Sequence, residues 1–214
     1  MESNSTYKDR ALESLNGKWQ QGIVATLIYL AITAVGSNLL TNMFPGTGGY
    51  SASVIISILC LPLSWAFAVY FLNLIRNEEL NYDQLFAPYK NGEWQRIGGT
   101  KLLMDVYIIL WMLLLIIPGI VKFYSYAMTD YILRDDPNIS YNAAIEKSMQ
   151  MMEGKKMDLF LLHLSFIGWL LLACLTLGLG MLLLYPYMQS TEAHFYEDLK
   201  RESTYENGFD KFRS

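Results

Sequence analysis

Apolar residues along the chain fall in long blocks separated by polar stretches. They do not recur with the period of two or 3.6 that marks a half-buried strand or helix in water. Roughly 20 apolar residues, each rising about 1.5 Å, cross a hydrocarbon layer about 30 Å thick. Gly22 to Leu40 meets that requirement without a charge, and Ser53 to Ile75 meets it despite Pro62 and Asn73. Leu102 to Leu133 has room for two passes folded at Pro118-Gly119. Leu159 to about Tyr196 has room for two more, folded at Leu177-Gly178-Leu179-Gly180. The pattern predicts an all-α membrane protein with six transmembrane helices in three hairpins. The fourth passage, Ile120 to Leu133, is short and carries Lys122 and Asp130, so its alternative is an interfacial or re-entrant segment.

The polar stretches before the first, third and fifth passages end alike, in Asn16-Gly17-Lys18-Trp19, Asn91-Gly92-Glu93-Trp94 and Glu153-Gly154-Lys155-Lys156. Tyr7, Ala11, Leu15 and Trp19 share one helical face, as do Tyr82, Leu85, Phe86 and Tyr89, and Tyr141, Ala144, Ile145, Ser148 and Met152. Each hairpin is therefore expected to follow a cytoplasmic amphipathic helix, with Asn81 and Gln84 placed like a capping box and Ser140 as an N-cap. Glycine ends such a helix in the left-handed conformation and lets the chain turn into the bilayer. Trp19 and Trp94 suit headgroup depth. Pro118-Gly119 precedes Tyr124 and Tyr126, and Gly180 precedes Tyr185 and Tyr187 at the same offsets. The chain reads as one integral membrane domain, 1–214, with parallel pseudo-repeats near 1–80, 81–137 and 138–202 and a polar tail at 203–214.

Charge orients this arrangement. All but Lys122 of the 16 Lys and Arg residues fall in the segments before Gly22, between passages two and three, between four and five, and after six. Short basic segments mark the cytoplasmic side, which puts both termini inside. Lys122, next to Phe123 and Tyr124, is expected to snorkel to the outer surface. No cleavable signal peptide is evident, because the first apolar block is a full span behind a polar start. A net charge of −4 with no polybasic run argues against nucleic-acid binding. Cys60 and Cys174 sit in apolar blocks without a metal or disulfide spacing and read as small buried hydrophobes.

Asn73, Asp105, Asp130, His163 and Glu192 all fall in the inner halves of their passages, which makes them the candidate intramembrane polar cluster. Ionisable groups there cost roughly 2.5 to 3.5 kcal/mol each and face one another or water. They form either a polar pocket open to the cytoplasm or a set of residues that reach interfacial water. Glu192 and His194 diverge on a helix, and no nucleophile, phosphate or metal motif is present, so no catalytic residue, cofactor or metal is expected.

Several runs together carry a family resemblance: Arg10-Ala11-Leu12 through Trp19, Leu115 to Ile120, Tyr126 to Leu133, Asp136-Pro137 with Ile139-Ser140, Ser148 to Gly154, and Phe166 to Trp169. They resemble a family of bacterial integral membrane proteins known as domain of unknown function 975. That family is distantly similar to the membrane domain beside some glycerophosphodiester phosphodiesterases, which implies a lipid setting and supplies no catalytic residues. Two functions are expected in turn. One is a non-enzymatic scaffold or accessory protein of the cell membrane whose surface helices engage membrane lipids or other membrane proteins. The other is a small transporter or exporter component that uses the inner polar cluster.

Overall fold

The computed structural model describes residues 2–43, 47–90 and 92–210. Asn91 of the second signature, Lys211 and Arg213 of the basic tail, and 44–46 of the expected outer loop lie outside the described residues. Every regular element among the described residues is helical.

The first hairpin follows α1 (Asn4–Leu15). Its outgoing arm is α2 (Trp19–Leu30), a π turn (Ala31–Val35) and α3 (Gly36–Met43); its returning arm is α4 (Thr47–Leu59) and α5 (Leu61–Ile75). A 3-10 turn (Tyr82–Phe86) and α6 (Ala87–Lys90) precede the second hairpin, α7 (Trp94–Leu114) with α8 (Ile116–Tyr126) and α9 (Thr129–Asp135). The third hairpin follows α10 (Tyr141–Met151) and consists of α11 (Lys156–Leu164), α12 (Ile167–Leu175) and α13 (Met181–Asp210). Among the described residues three helices, and not the six expected, are long and apolar enough to cross a membrane, Ser51–Ile75, Trp94–Leu114 and Lys156–Leu175; Trp19–Val35 is a shorter apolar helix.

Gly17, Gly92 and Gly154 have φ of +76°, +72° and +72°, and α2, α7 and α11 each begin two residues later. A Cβ at any of the three would meet no neighbour, so backbone conformation alone calls for glycine.

The returning arms form the centre. Trp65 through Leu74 of α5 are buried throughout, against Tyr131 and Leu133 of α9 and Phe195, Tyr196 and Leu199 of α13. Around them the apolar faces of the short helices are already occupied. Tyr7, Ala11 and Leu15 of α1 are buried, with Tyr7 packed on Phe195 of α13, and Ala144, Ile145 and Ser148 of α10 are buried against α7, α8 and α9.

Several local expectations need correction. The second hairpin turns at Leu115, the one extended residue between α7 and α8 (φ −159°, ψ 137°), and not at Pro118-Gly119. Pro118 sits in the first turn of α8, where an N–H has no helical acceptor to lose. Gly119 lets the two arms approach: a Cβ there would lie 2.3 Å from Met112 Cγ and 3.0 Å from Met112 Cα. Gly119→Val is expected to destabilise the protein by about 1–3 kcal/mol through overpacking. Thermal unfolding in detergent measures this, with Gly168→Ala, whose Cβ meets open space, as the near-neutral control.

Ser140 has extended N-cap backbone, but its side chain makes no capping bond. Asn81 Oδ1 accepts from the Asp83 N–H, while Gln84 bonds Asn73 and the Glu79 carbonyl instead of closing a box. Lys122 does not reach away from the bundle: its ammonium lies over the Trp111 ring at 5.4 Å, with Nζ 3.6 Å from Met149 Sδ on α10.

Candidate functional site

The five predicted polar residues separate into three places. Asp130 and Glu192 line one cavity of about 190 Å³ together with Lys101, Gln189, Tyr29 and Tyr185. Lys101, two turns into α7, and Asp130, in the first turn of α9, hold Nζ 2.9 Å from Oδ2, so two charges within apolar helices are paired. Trp65 of α5 donates its indole N–H to the Asp130 carbonyl at 2.8 Å, which ties the first hairpin to the second here. Asp130 Oδ1 and Gln189 Oε1 are buried and have no hydrogen-bond partner among the described residues. The cavity therefore presents acceptors, and its formal charges are one cation against two carboxylates.

His163 joins this site from α11, with Nε2 3.8 Å from Glu192 Oε2 and its ring 5.7 Å from that of Tyr124. His194 points the other way, its Nε2 2.8 Å from Ser14 Oγ on α1, as the i, i+2 spacing requires. Asp105 is exposed on α7, one turn beyond Lys101, and makes no ion pair among the described residues. Asn73 lines a separate cavity of about 270 Å³ with Gln84, Glu93, Arg96 and Arg134. Its amide donates to Gln84 at 3.2 Å, while its Oδ1 is buried without a partner among the described residues. Lys101, Gln189 and Trp65 complete the site. Lys101 entered the sequence reading only as an inner-side charge, although its pairing with Asp130 spans 29 residues.

Away from the cavity, charges from α5, α9 and α13 meet near the C-terminal ends of these helices. Arg76, just past α5, makes a two-pronged contact with Asp135 at the end of α9 (2.7 and 2.9 Å) and reaches Glu197 of α13 at 2.6 Å. Lys200 Nζ donates to Asp135 Oδ2 at 2.6 Å and the Tyr196 hydroxyl donates to the same oxygen at 2.8 Å. Tyr196 also stacks on Tyr131, centroids 4.9 Å apart. Burial alone would raise the Asp135 carboxyl, but the bonds from Arg76, Lys200 and Tyr196 outweigh it and hold it well below the usual carboxylate range. The arrangement is a charge clasp that ties three hairpins together.

Groups of three or more His, Cys, Asp or Glu side chains suited to a metal ion do not occur among the described residues. No curated protein and no solved structure matches the chain. Over residues 1–129 and 112–203 it matches the family described as protein of unknown function (DUF975), and the chain belongs to that family.

Proposed function

We propose that this is a small transporter or exporter component of a bacterial cell membrane that binds a solute bearing hydrogen-bond donors, such as a small ammonium compound, in the Lys101–Asp130–Glu192 cavity. One observation carries the reading: buried acceptors of Asp130 and Gln189 have no partner among the described residues and line a cavity with an excess of carboxylates. A cavity of about 190 Å³ holds several waters or a few-atom solute. The scaffold reading drew its support from free amphipathic faces, and those of α1 and α10 are occupied by the bundle itself.

The same proposal includes the topology: three hairpins entering from the cytoplasmic face as an internal repeat, with both termini inside. Positive-inside counting supports the orientation. The three glycine turns with positive φ before α2, α7 and α11 support the repeat. A distant likeness to the membrane domain beside glycerophosphodiester phosphodiesterases belongs to this proposal as well.

Thermal unfolding of the purified protein in detergent tests it, in a panel of ammonium, methylammonium and dimethylammonium chlorides with sodium chloride as the ionic control. At least one of the three is expected to raise Tm by about 5 °C or more near saturation. Asp130→Asn or Glu192→Gln should abolish the rise, and Asp105→Asn should retain it. A flat response to all three, or a rise that survives both cavity substitutions, contradicts the proposal.

A further inference from the structure

The third hairpin differs from the first in how far it rises above the surface helices. Lys8 of α1 donates from Nζ to the Ser165 carbonyl at 2.8 Å and lies over the Phe166 ring at 4.3 Å. Phe166 in turn packs edge-on against Tyr187 at 5.1 Å. The break between α11 and α12 therefore lies one lysine side chain above α1. Beyond it α12 has nine residues, about 14 Å of helix, before the chain turns back at Leu177-Gly178.

A second set of contacts gives the same height. An ideal Cβ on Gly22, one turn into α2, would lie 3.1 Å from Pro186 of α13, and α13 begins at Met181. From Gly22 to Met43 the first hairpin continues upward for about 30 Å, the thickness of the hydrocarbon core. The third hairpin's tip comes within reach of the surface layer: Thr176 and Gly180 line one apolar groove of about 340 Å³ with Leu12 of α1 and Trp19.

The tip is also built for a medium without water. Leu175, Leu177 and Leu179 are 80%, 97% and 70% exposed. Each N–H from Leu177 to Met181 nevertheless has an acceptor within the turn, respectively the carbonyls of Cys174, Ala173 and Thr176, the Thr176 hydroxyl, and the Gly178 carbonyl. Thr176 Oγ1 itself donates to the Ala173 carbonyl at 2.8 Å. Backbone at membrane depth has to be satisfied internally in this way, whereas a turn in water has no such need. The outer end of the first hairpin carries Asn38 and Asn42 instead.

We propose that the third hairpin is re-entrant: α12 and the start of α13 enter from the cytoplasmic face, turn near the bilayer centre with the leucine tip in hydrocarbon, and return. This rests on the inner-face orientation proposed above. It follows that, of the Lys156–Leu175 segment, apolar and long enough to cross, only α12 lies in the core.

The test uses the full chain in sealed, right-side-out vesicles, in a Cys60→Ser, Cys174→Ser background, with Leu179→Cys or Asn42→Cys added. Leu179→Cys is expected to escape a membrane-impermeant maleimide from either side. A bimane attached there should be quenched most strongly by lipids carrying a nitroxide at acyl carbon 12 and least by a headgroup nitroxide. Asn42→Cys should be labelled from outside. Native Cys174, exposed near the tip, gives a second reading in a Cys60→Ser chain that leaves the turn untouched. Labelling of Leu179→Cys or Cys174 from outside overturns the re-entrant hairpin. Labelling of Asn42→Cys only from inside would overturn the orientation, a separate failure that central quenching at Leu179→Cys would survive.

Discussion

Asp135→Ala is expected to destabilise the protein by about 3 kcal/mol, the scale for removing one partner of a largely buried charge network. Its side chain is 16% exposed and accepts from Arg76, Lys200 and Tyr196, which belong to two other hairpins. The loss has two parts. Arg76 keeps Glu197 alone among the described residues, and α5, α9 and α13 lose their shared anchor. Arg76→Met with Asp135→Leu should recover much of the deficit, because two apolar side chains leave no uncompensated charge.

The sign of the pH dependence follows from the same contacts. Asp135 is held well below its unfolded value of about 3.9, so its contribution is fully present above that value. It is lost as pH falls toward the depressed folded value. The gap in Tm between wild type and Asp135→Ala is therefore expected to be constant from pH 7 to about pH 5 and to close at lower pH. A gap that instead widens on acidification would assign the effect to another group.

Lys101→Ala carries the other large effect. It leaves the Asp130 carboxylate unpaired among apolar helices, at a cost of about 2.5–3.5 kcal/mol on insertion scales. Lowered yield of folded protein and a lowered Tm are the expected readouts. Lys101→Met with Asp130→Leu separates structure from function, since it removes both charges and should restore folding. That double variant is expected to unfold near the wild-type temperature and to have lost the ammonium-dependent rise in Tm. A restored fold that still responds would move the solute site elsewhere.

The elements that the sequence exposes well are those with a local cause. Gly17, Gly92 and Gly154 announce left-handed turns because glycine alone adopts them without strain, and the faces of α1 and α10 follow from helical spacing. What those faces touch is not local. Periodicity yields an apolar stripe around Tyr7, Ala11 and Leu15, but a stripe packed on α13 and one resting on lipid have the same pattern. Pro118 misled for a related reason, since proline suits the first turn of a helix as well as a bend, and the actual turn at Leu115 carries no marker residue.

The site was half legible. Asp130 and Glu192 stand out as carboxylates in apolar blocks, and they do share a cavity. Asp105 and Asn73 stood out for the same reason and lie elsewhere, because depth along a helix does not specify which side a residue faces. The clasp was missed entirely. Arg76 and Lys200 were counted as inner-side charges, while Asp135 and Glu197 have no weight in a rule that reads only Lys and Arg. Contacts spanning 59 and 121 residues leave no mark on neighbouring sequence.

Three returning arms joined near their C-terminal ends by charge pairing form the centre of this fold. A double-mutant cycle between Arg76→Gln and Asp135→Asn, read by reversible unfolding in mixed micelles, measures that closure directly. A coupling of about 1.5 kcal/mol or more is predicted for this two-pronged contact. Additivity within about 0.5 kcal/mol would mean that these helix ends are held by packing alone and would contradict the clasp.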